Sequence, residues 1–345
     1  MRSLYRQTGG VELPEVPDLP DASELLEAAY VVALPLRTRF RGLEAREAVL
    51  LRGPSGWTEF APFTEYDDAE AATWLAAAVD FGWGPDPTLY RDAVSVNATL
   101  PAVDAADIDA VLDAFGHTRT VKVKVAERGQ TLADDVARVR AVRARLGPAG
   151  RIRVDANGGW NVDEAEHAAH ALAPFDLEYL EQPCATVPEL AELRGRLRDW
   201  QLPIAADESV RKAADPLAVV SAGAADLLVV KAAPLGGIAA ALRIVAASGL
   251  PAVVSSALDT SVGIAMGARL AAALPQLDYD CGLGTAALLA ADVTAAPLLP
   301  REGRIPVSRV DASRDLLERW AAPTERRAWW LARLERCLEL LRPAG

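Results

Sequence analysis

The chain has 345 residues, 51% hydrophobic and 24% charged, with a formal net charge of −12. That length is more than one compact core ordinarily serves and predicts one large domain with a smaller one attached. The negative balance, without any Lys/Arg block, argues against nucleic acid and anionic lipid as partners.

Residues 1–25, with Pro14, Pro17 and Pro20, read as a loosely held extension with no apolar core of signal-peptide length. Charges such as Lys231 and Arg243 cut the apolar stretches elsewhere, so no membrane association and a cytoplasmic location are expected. From 26 to 93 the pattern is α+β: strands in AYVVALPL and REAVLLRGPSGWTEFAPF, joined through Gly53-Pro54-Ser55-Gly56, precede an Ala-rich helix near 68–80.

From 94 to 300 short apolar runs alternate with helices. Val136, Val139, Val142 and Leu146 fall at helical spacing before Gly147-Pro148, and Asn161 with Glu164 forms a capping box. Asp215-Pro216 opens a helix that Gly223 closes, and Gly236-Gly237 opens another, without the G-x-G-x-x-G pattern of a dinucleotide site. His167 and His170 read as exposed helix residues, and Cys184, Cys281 and Cys337 as small packing residues too scattered for a disulfide framework or thiolate metal site. In the tail, 301–345, a helix begun by Pro323-Thr324 aligns Trp330, Leu334, Leu338 and Leu341 as a packing face.

Each apolar run of the middle region ends in a polar residue: Asn97, Lys124, Asp155, Glu181, Asp207, Lys231, Ser255 and Asp280. Their intervals, roughly 24–31 residues, suit one strand plus one returning helix. Eight such units predict an α/β fold of (β/α)8 barrel type, whose C-terminal strand ends converge on one mouth. Asp155, Glu181 and Asp207 then point three carboxylates at a common place and would repel one another without a cation. Hard oxygen donors without histidine or thiolate favour Mg²⁺, with Mn²⁺ as substitute.

Lys124 and Lys231 flank that trio. Such a site can hold a small-molecule carboxylate at the metal while ammonium groups approach its α-carbon from opposite faces, stabilising an enediolate. A lysine acts as base only when neutral, and Lys122, on the same strand face as Lys124, lowers its neighbour's pKa. Arg153, two before Asp155, shares the inward face as an orienting or substrate-binding group, or as an ion pair inside the barrel.

These residues resemble the enolase superfamily, in its muconate-lactonizing branch, through Lys122-Val-Lys124, RVDAN, EQP, ADES, and Lys231 followed by Gly236-Gly237, in order over about 29–300. The resemblance implies a modified (β/α)7β barrel, its last strand abbreviated, under an α+β cap built from the N-terminal segment and the C-terminal tail. It implies Lys124 as base and returning acid, Lys231 as enediolate stabiliser, and Asp155, Glu181 and Asp207 as Mg²⁺ ligands. Asn157, Ser255 and Ser256 become substrate contacts, with cap contacts from 38–42 and 60–62. With RVDANGGWN, EQPC and CGLGT, the implied reaction is dehydration of 2-succinyl-6-hydroxy-2,4-cyclohexadiene-1-carboxylate to 2-succinylbenzoate, a step of menaquinone biosynthesis.

The enzymatic rival is an N-acylamino acid racemase or dipeptide epimerase, because two lysines across an enediolate also serve 1,1-proton transfer. Asp278 and Asp280 resemble the Asp-x-Asp with which dipeptide epimerases hold an ammonium group. A non-catalytic metal-binding scaffold is the rival from another class, against which both intact lysines argue. The sequence sets no oligomeric state.

Overall fold

The computed structural model describes residues 5–8, 11–14, 19–211 and 215–342. Strands β1 (Tyr5–Thr8) and β2 (Val11–Pro14) pair antiparallel, and helix α1 (Ala22–Glu27) follows with Leu25 fully buried. Of the extension expected over 1–25, residues 1–4, 9, 10 and 15–18 lie outside the described residues, and Leu25 at its end is buried in the core. Next come β3 (Tyr30–Phe40), β4 (Leu43–Gly53) and β5 (Gly56–Phe60), a three-stranded antiparallel sheet, then α2 (Asp68–Trp83), capped by the Asp67 carboxylate on the Glu70 amide.

Beyond β6 (Ala93–Ser95) a parallel sheet begins. Its units are β7 (Ala98–Leu100) with α3 (Ile108–Asp113), β8 (Thr120–Lys124) with α4 (Leu132–Leu146), and β9 (Arg151–Asp155) with α5 (Val162–Leu172). They continue as β10 (Leu177–Glu181) with α6 (Val187–Arg196), and β11 (Ile204–Ala206) with α7 (Glu208–Arg211) and α8 (Ala218–Ser221). The last two are β12 (Leu227–Val230) with α9 (Ile238–Ser248) and β13 (Ala252–Val254) with α10 (Ser261–Ala273). The seven strands lie in sequence order, and single parallel bridges Ser255–Gly282 and Val96–Cys281 close the ring. The architecture is the expected (β/α)7β barrel, its eighth strand reduced to two residues.

Two expected strand ends shift. The first barrel strand is 98–100, not the run ending at Asn97, because the chain at 93–95 pairs instead with β14 (Arg304–Pro306). Asp280 precedes the residual eighth strand rather than ending it. The helix expected between Asp215 and Gly223 is only the four-residue α8, with Asp215 accepting from the Leu217 amide.

The tail returns through α11 (Arg314–Arg319) to the antiparallel sheet, where Ala322 N–H donates to Val31 O, and ends in α12 (Thr324–Leu341) packed along α2. Trp330, Leu334, Leu338 and Leu341 are all buried, and Trp330 meets Phe60 edge-on at 6.0 Å. Cap and barrel meet through a buried polar cluster. Glu59 of β5 accepts from the amide and hydroxyl of Thr260, the N-cap of α10, beside Asp259 and Arg46. Burial first, and then the Asp259 charge, push Glu59 up to about 8. No helix among the described residues is long and apolar enough to cross a membrane.

Candidate active site

Strands β8, β9 and β10 run in register, so Lys124 stands opposite Asp155 and Asp155 opposite Glu181. Val121 and Val123 enter the apolar layer beneath the helices, which turns both lysines of the alternating strand inward. Lys124 Nζ donates to Asp155 Oδ2 at 2.5 Å and Asn157 Oδ1 at 2.6 Å. Lys122 Nζ lies 2.8 Å from Glu181 Oε1 and 3.2 Å from Asp155 Oδ2. Across the mouth, Lys231 follows β12 directly and donates to Asp207 Oδ2 at 2.5 Å.

The loop after β9 explains part of this arrangement. Asn157 is left-handed (φ 46°), a conformation asparagine tolerates better than most residues, and its amide donates to Asp155 Oδ1 at 3.0 Å. Gly158 (φ +74°) passes so close to the backbone after β10 that an added Cβ would lie 3.1 Å from Ala185 Cα. The ANGG turn thereby aims both Asp155 and Asn157 at the lysine.

Electrostatics divide the two lysines. Burial disfavours both ammonium groups, but at Lys122 the Glu181 and Asp155 carboxylates outweigh it and hold the group well above the ordinary lysine range. At Lys124 burial, reinforced by the charge of Lys122, wins and the pKa is lowered. Among the acids, burial and then Asp155 push Glu181 up to about 7. At Asp207, Lys231 and Arg211 overcome burial and hold the carboxyl down to about 2.

Three carboxylates from successive barrel positions form a donor set suited to a hard divalent cation. Glu181 Oε2 is buried without any hydrogen-bond partner, which costs about 1–3 kcal/mol and is relieved by a cation or a proton. Among the described residues the acids do not close on one point by themselves, since each is turned to an ammonium group. The residues present fit a divalent metal.

A pocket lies over this floor, between the barrel mouth and the cap. The barrel contributes Lys122, Lys124, Asp155, Asn157, Asp207, Lys231, Ser255 and Ser256, which the sequence had brought forward. Glu181, fully buried, sits beneath Lys122. Arg153 does not line the cavity; it is fully buried lower in the barrel, donating to Glu178, Asn97 and the Asp280 carbonyl. Lys122 stands beside it at the same level, but the Arg153 guanidinium is drawn away from the mouth to Glu178 and the Asp280 carbonyl, so Arg153 takes the alternative role of an interior ion pair.

Asp280 is held by Arg119 at 2.7 and 2.9 Å and by Thr120 at 2.6 Å, at the start of β8 and so at the opposite end of the barrel from Lys124. Exposed Asp278 is two residues away. The Asp-x-Asp is thus not an ammonium site over this cavity. From the cap, Phe40 and Arg41 fall in the expected 38–42 stretch, whereas Phe63, Tyr66 and Trp74 replace 60–62, because Phe60 is committed to Trp330. Sequence reasoning also missed Glu208 and Arg211. Glu208 stood inside ADES, and Arg211 lies one turn beyond Asp207, the only signal that was available for it. His167 and His170 are exposed on α5, His170 stacking on Trp200, and the three cysteines are buried and free.

The enclosed acid floor, the opposed lysines and the capped barrel define a proton-abstracting barrel enzyme, and the Enolase C-terminal and N-terminal domain-like families match residues 103–311 and 31–82. The chain belongs to the enolase superfamily. It is 55% identical over 330 residues to the o-succinylbenzoate synthase of Mycobacterium tuberculosis, covering 95% of this chain and 99% of that protein. The o-succinylbenzoate synthase of Mycobacterium marinum is 54% identical, at 95% and 98% coverage. Among solved structures, muconate lactonizing enzyme from Pseudomonas putida superposes with TM-score 0.70 at 20% identity, covering 85% of this chain and 98% of that one. The L-Ala-D/L-Glu epimerase of Bacillus subtilis superposes equally well, TM-score 0.70 at 23% identity over 82% and 96%. At those identities the two structures speak to fold alone.

Proposed function

We propose that the protein carries out the o-succinylbenzoate synthase reaction, the Mg²⁺-dependent dehydration of 2-succinyl-6-hydroxy-2,4-cyclohexadiene-1-carboxylate to 2-succinylbenzoate. The observation that carries this reading is the 55% identity to such synthases over 95% of the chain; the opposed lysines suit the chemistry. Asp155, Glu181 and Asp207 would hold Mg²⁺, whose charge offsets that developing on the substrate carboxylate as its α-proton leaves.

Lys124 takes that proton. Its lowered pKa enlarges the neutral fraction available as base, and the ammonium it becomes is the acid at hand for the departing hydroxyl. Loss of a proton and of hydroxide from adjacent ring carbons leaves the aromatic product and one water. Lys231, from the opposite wall, holds the enediolate charge, while Lys122 stays cationic and helps keep Lys124 neutral. Asn157 orients the Lys124 ammonium, and Ser255 and Ser256 contact the substrate at the rim. The free, buried cysteines suit a reducing cytoplasm.

The test is a parallel assay with Mg²⁺, following loss of the cyclohexadiene chromophore and racemization of N-succinyl amino acids. Dehydration is expected; racemization without dehydration would overturn the reading.

A further inference from the structure

Arg211 ends α7 and is buried where the barrel mouth meets the cap. Its guanidinium points three ways. Nε donates to Asp207 Oδ1 at 3.2 Å, Nη2 to Glu208 Oε1 at 2.7 Å, and Nη1 to the Tyr66 hydroxyl at 3.2 Å, with Glu70 Oε1 3.8 Å away. Tyr66 and Glu70 belong to the cap, where Tyr66 packs edge-on against Phe63 and tilted against Trp74. The connection continues past Glu208. Asn157 Nδ2 donates to the same Glu208 oxygen at 3.2 Å, and Asn157 Oδ1 accepts from Lys124 Nζ at 2.6 Å. One Asp207 oxygen is therefore tied through Arg211 to the cap, the other to Lys231.

We propose that Arg211 is a positioning residue that couples the seating of the cap to the aim of Asp207 and, through Glu208 and Asn157, of Lys124. The inference rests on the reading of Asp207 as a metal ligand and adds a part of the molecule that sets its geometry. A guanidinium is suited to this because its donors form a rigid planar fork, so moving one partner redirects the others. The bland role, neutralising buried acids, needs only a positive charge. Lysine at this position keeps the charge and loses the fork, which separates the two roles.

The experiment measures Mn²⁺ affinity by titration calorimetry, with the thermal midpoint, kcat and KM, for the wild-type chain and for Arg211→Lys, Arg211→Gln, Tyr66→Phe and Asp207→Asn. Outer partners of metal ligands typically contribute about 10–100-fold in affinity. Arg211→Lys is expected to weaken Mn²⁺ about 10-fold and Arg211→Gln up to about 100-fold. Tyr66→Phe, which deletes one oxygen in the cap, is expected to weaken Mn²⁺ about threefold with an unchanged thermal midpoint, the size of one modest hydrogen bond. Wild-type Mn²⁺ affinity in Arg211→Lys would reduce Arg211 to a neutralising charge and overturn the proposal. Wild-type affinity and kcat in Tyr66→Phe would remove the link to the cap, and this variant decides that point even if Arg211→Gln fails to fold. Unchanged affinity in Asp207→Asn would instead overturn the metal-ligand reading itself.

Discussion

Two lysines separated by one valine come to opposite electrostatic ends because one reaches two carboxylates and the other lies nearer the mouth with one. If Lys124 is the base, Lys124→Ala should lower kcat by about 10²–10⁴-fold, the usual worth of general acid–base catalysis. The fall in kcat should far exceed any change in Mn²⁺ affinity, measured by calorimetry on the same preparation, although Lys124 also touches Asp155; retained turnover would remove Lys124 from the mechanism. Lys124, Lys231 and the three acids were legible because a repeating strand-to-helix interval places each at or just past a strand end, and Lys122 because period-2 alternation puts it on the face of Lys124. Arg153 showed the limit of that logic: alternation gives the face but not the direction a long side chain takes from it, since Lys122 at the same level reaches the pocket and Arg153 does not. Tyr66, Phe63 and Trp74 carried no signal, since they reach the mouth from the loop after β5 and from α2, whose docking on the barrel no local pattern encodes.

Helix starts divide along the same line. The capping boxes Thr131/Asp134, Asn161/Glu164 and Thr186/Glu189 begin α4, α5 and α6, all between residues three apart. Helix α9 is capped from elsewhere. Gly237 precedes it at φ +119°, where an added Cβ would lie 2.6 Å from Asp80 Oδ2, and that oxygen accepts from the Ile238 amide at 3.1 Å. A carboxylate of the cap helix α2 thus substitutes for the missing N-cap of the helix that follows Lys231. Asp80→Ala is expected to cost about 0.5–2 kcal/mol in denaturant unfolding, a larger loss than at the exposed Glu65 before α2, changed to alanine; equal losses would deny Asp80 this role. The Gly236-Gly237 helix start was visible in sequence, but its partner, 158 residues away, was not.

At the scale of the molecule, cap and barrel share a buried acid pair. Glu59 binds its proton more tightly in the folded state, about 8 against an ordinary 4.5. Its contribution is therefore complete at low pH and is lost as pH rises through that interval, by up to about 1.4 kcal/mol per pH unit. Denaturation midpoints should fall between pH 5 and pH 8, and Glu59→Gln should flatten the slope; an unchanged slope in that variant would acquit the pair. The barrel itself was readable from strand spacing, whereas its closure by two single bridges and the composition of the cap were reachable only through family resemblance.

The cap draws on chain from both sides of the barrel: β3–β5 and α2 are made before it, and α12 long after. A ribosome therefore delivers the complete catalytic floor while the seat of Trp330 against Phe60 is still bare. The nascent chain carries that apolar surface throughout barrel synthesis, a window for chaperone capture. The last helix also brings Arg333, which donates to the Phe63 and Tyr66 carbonyls, so the loop that carries the Tyr66 partner of Arg211 gains its final contacts only when that helix has been translated.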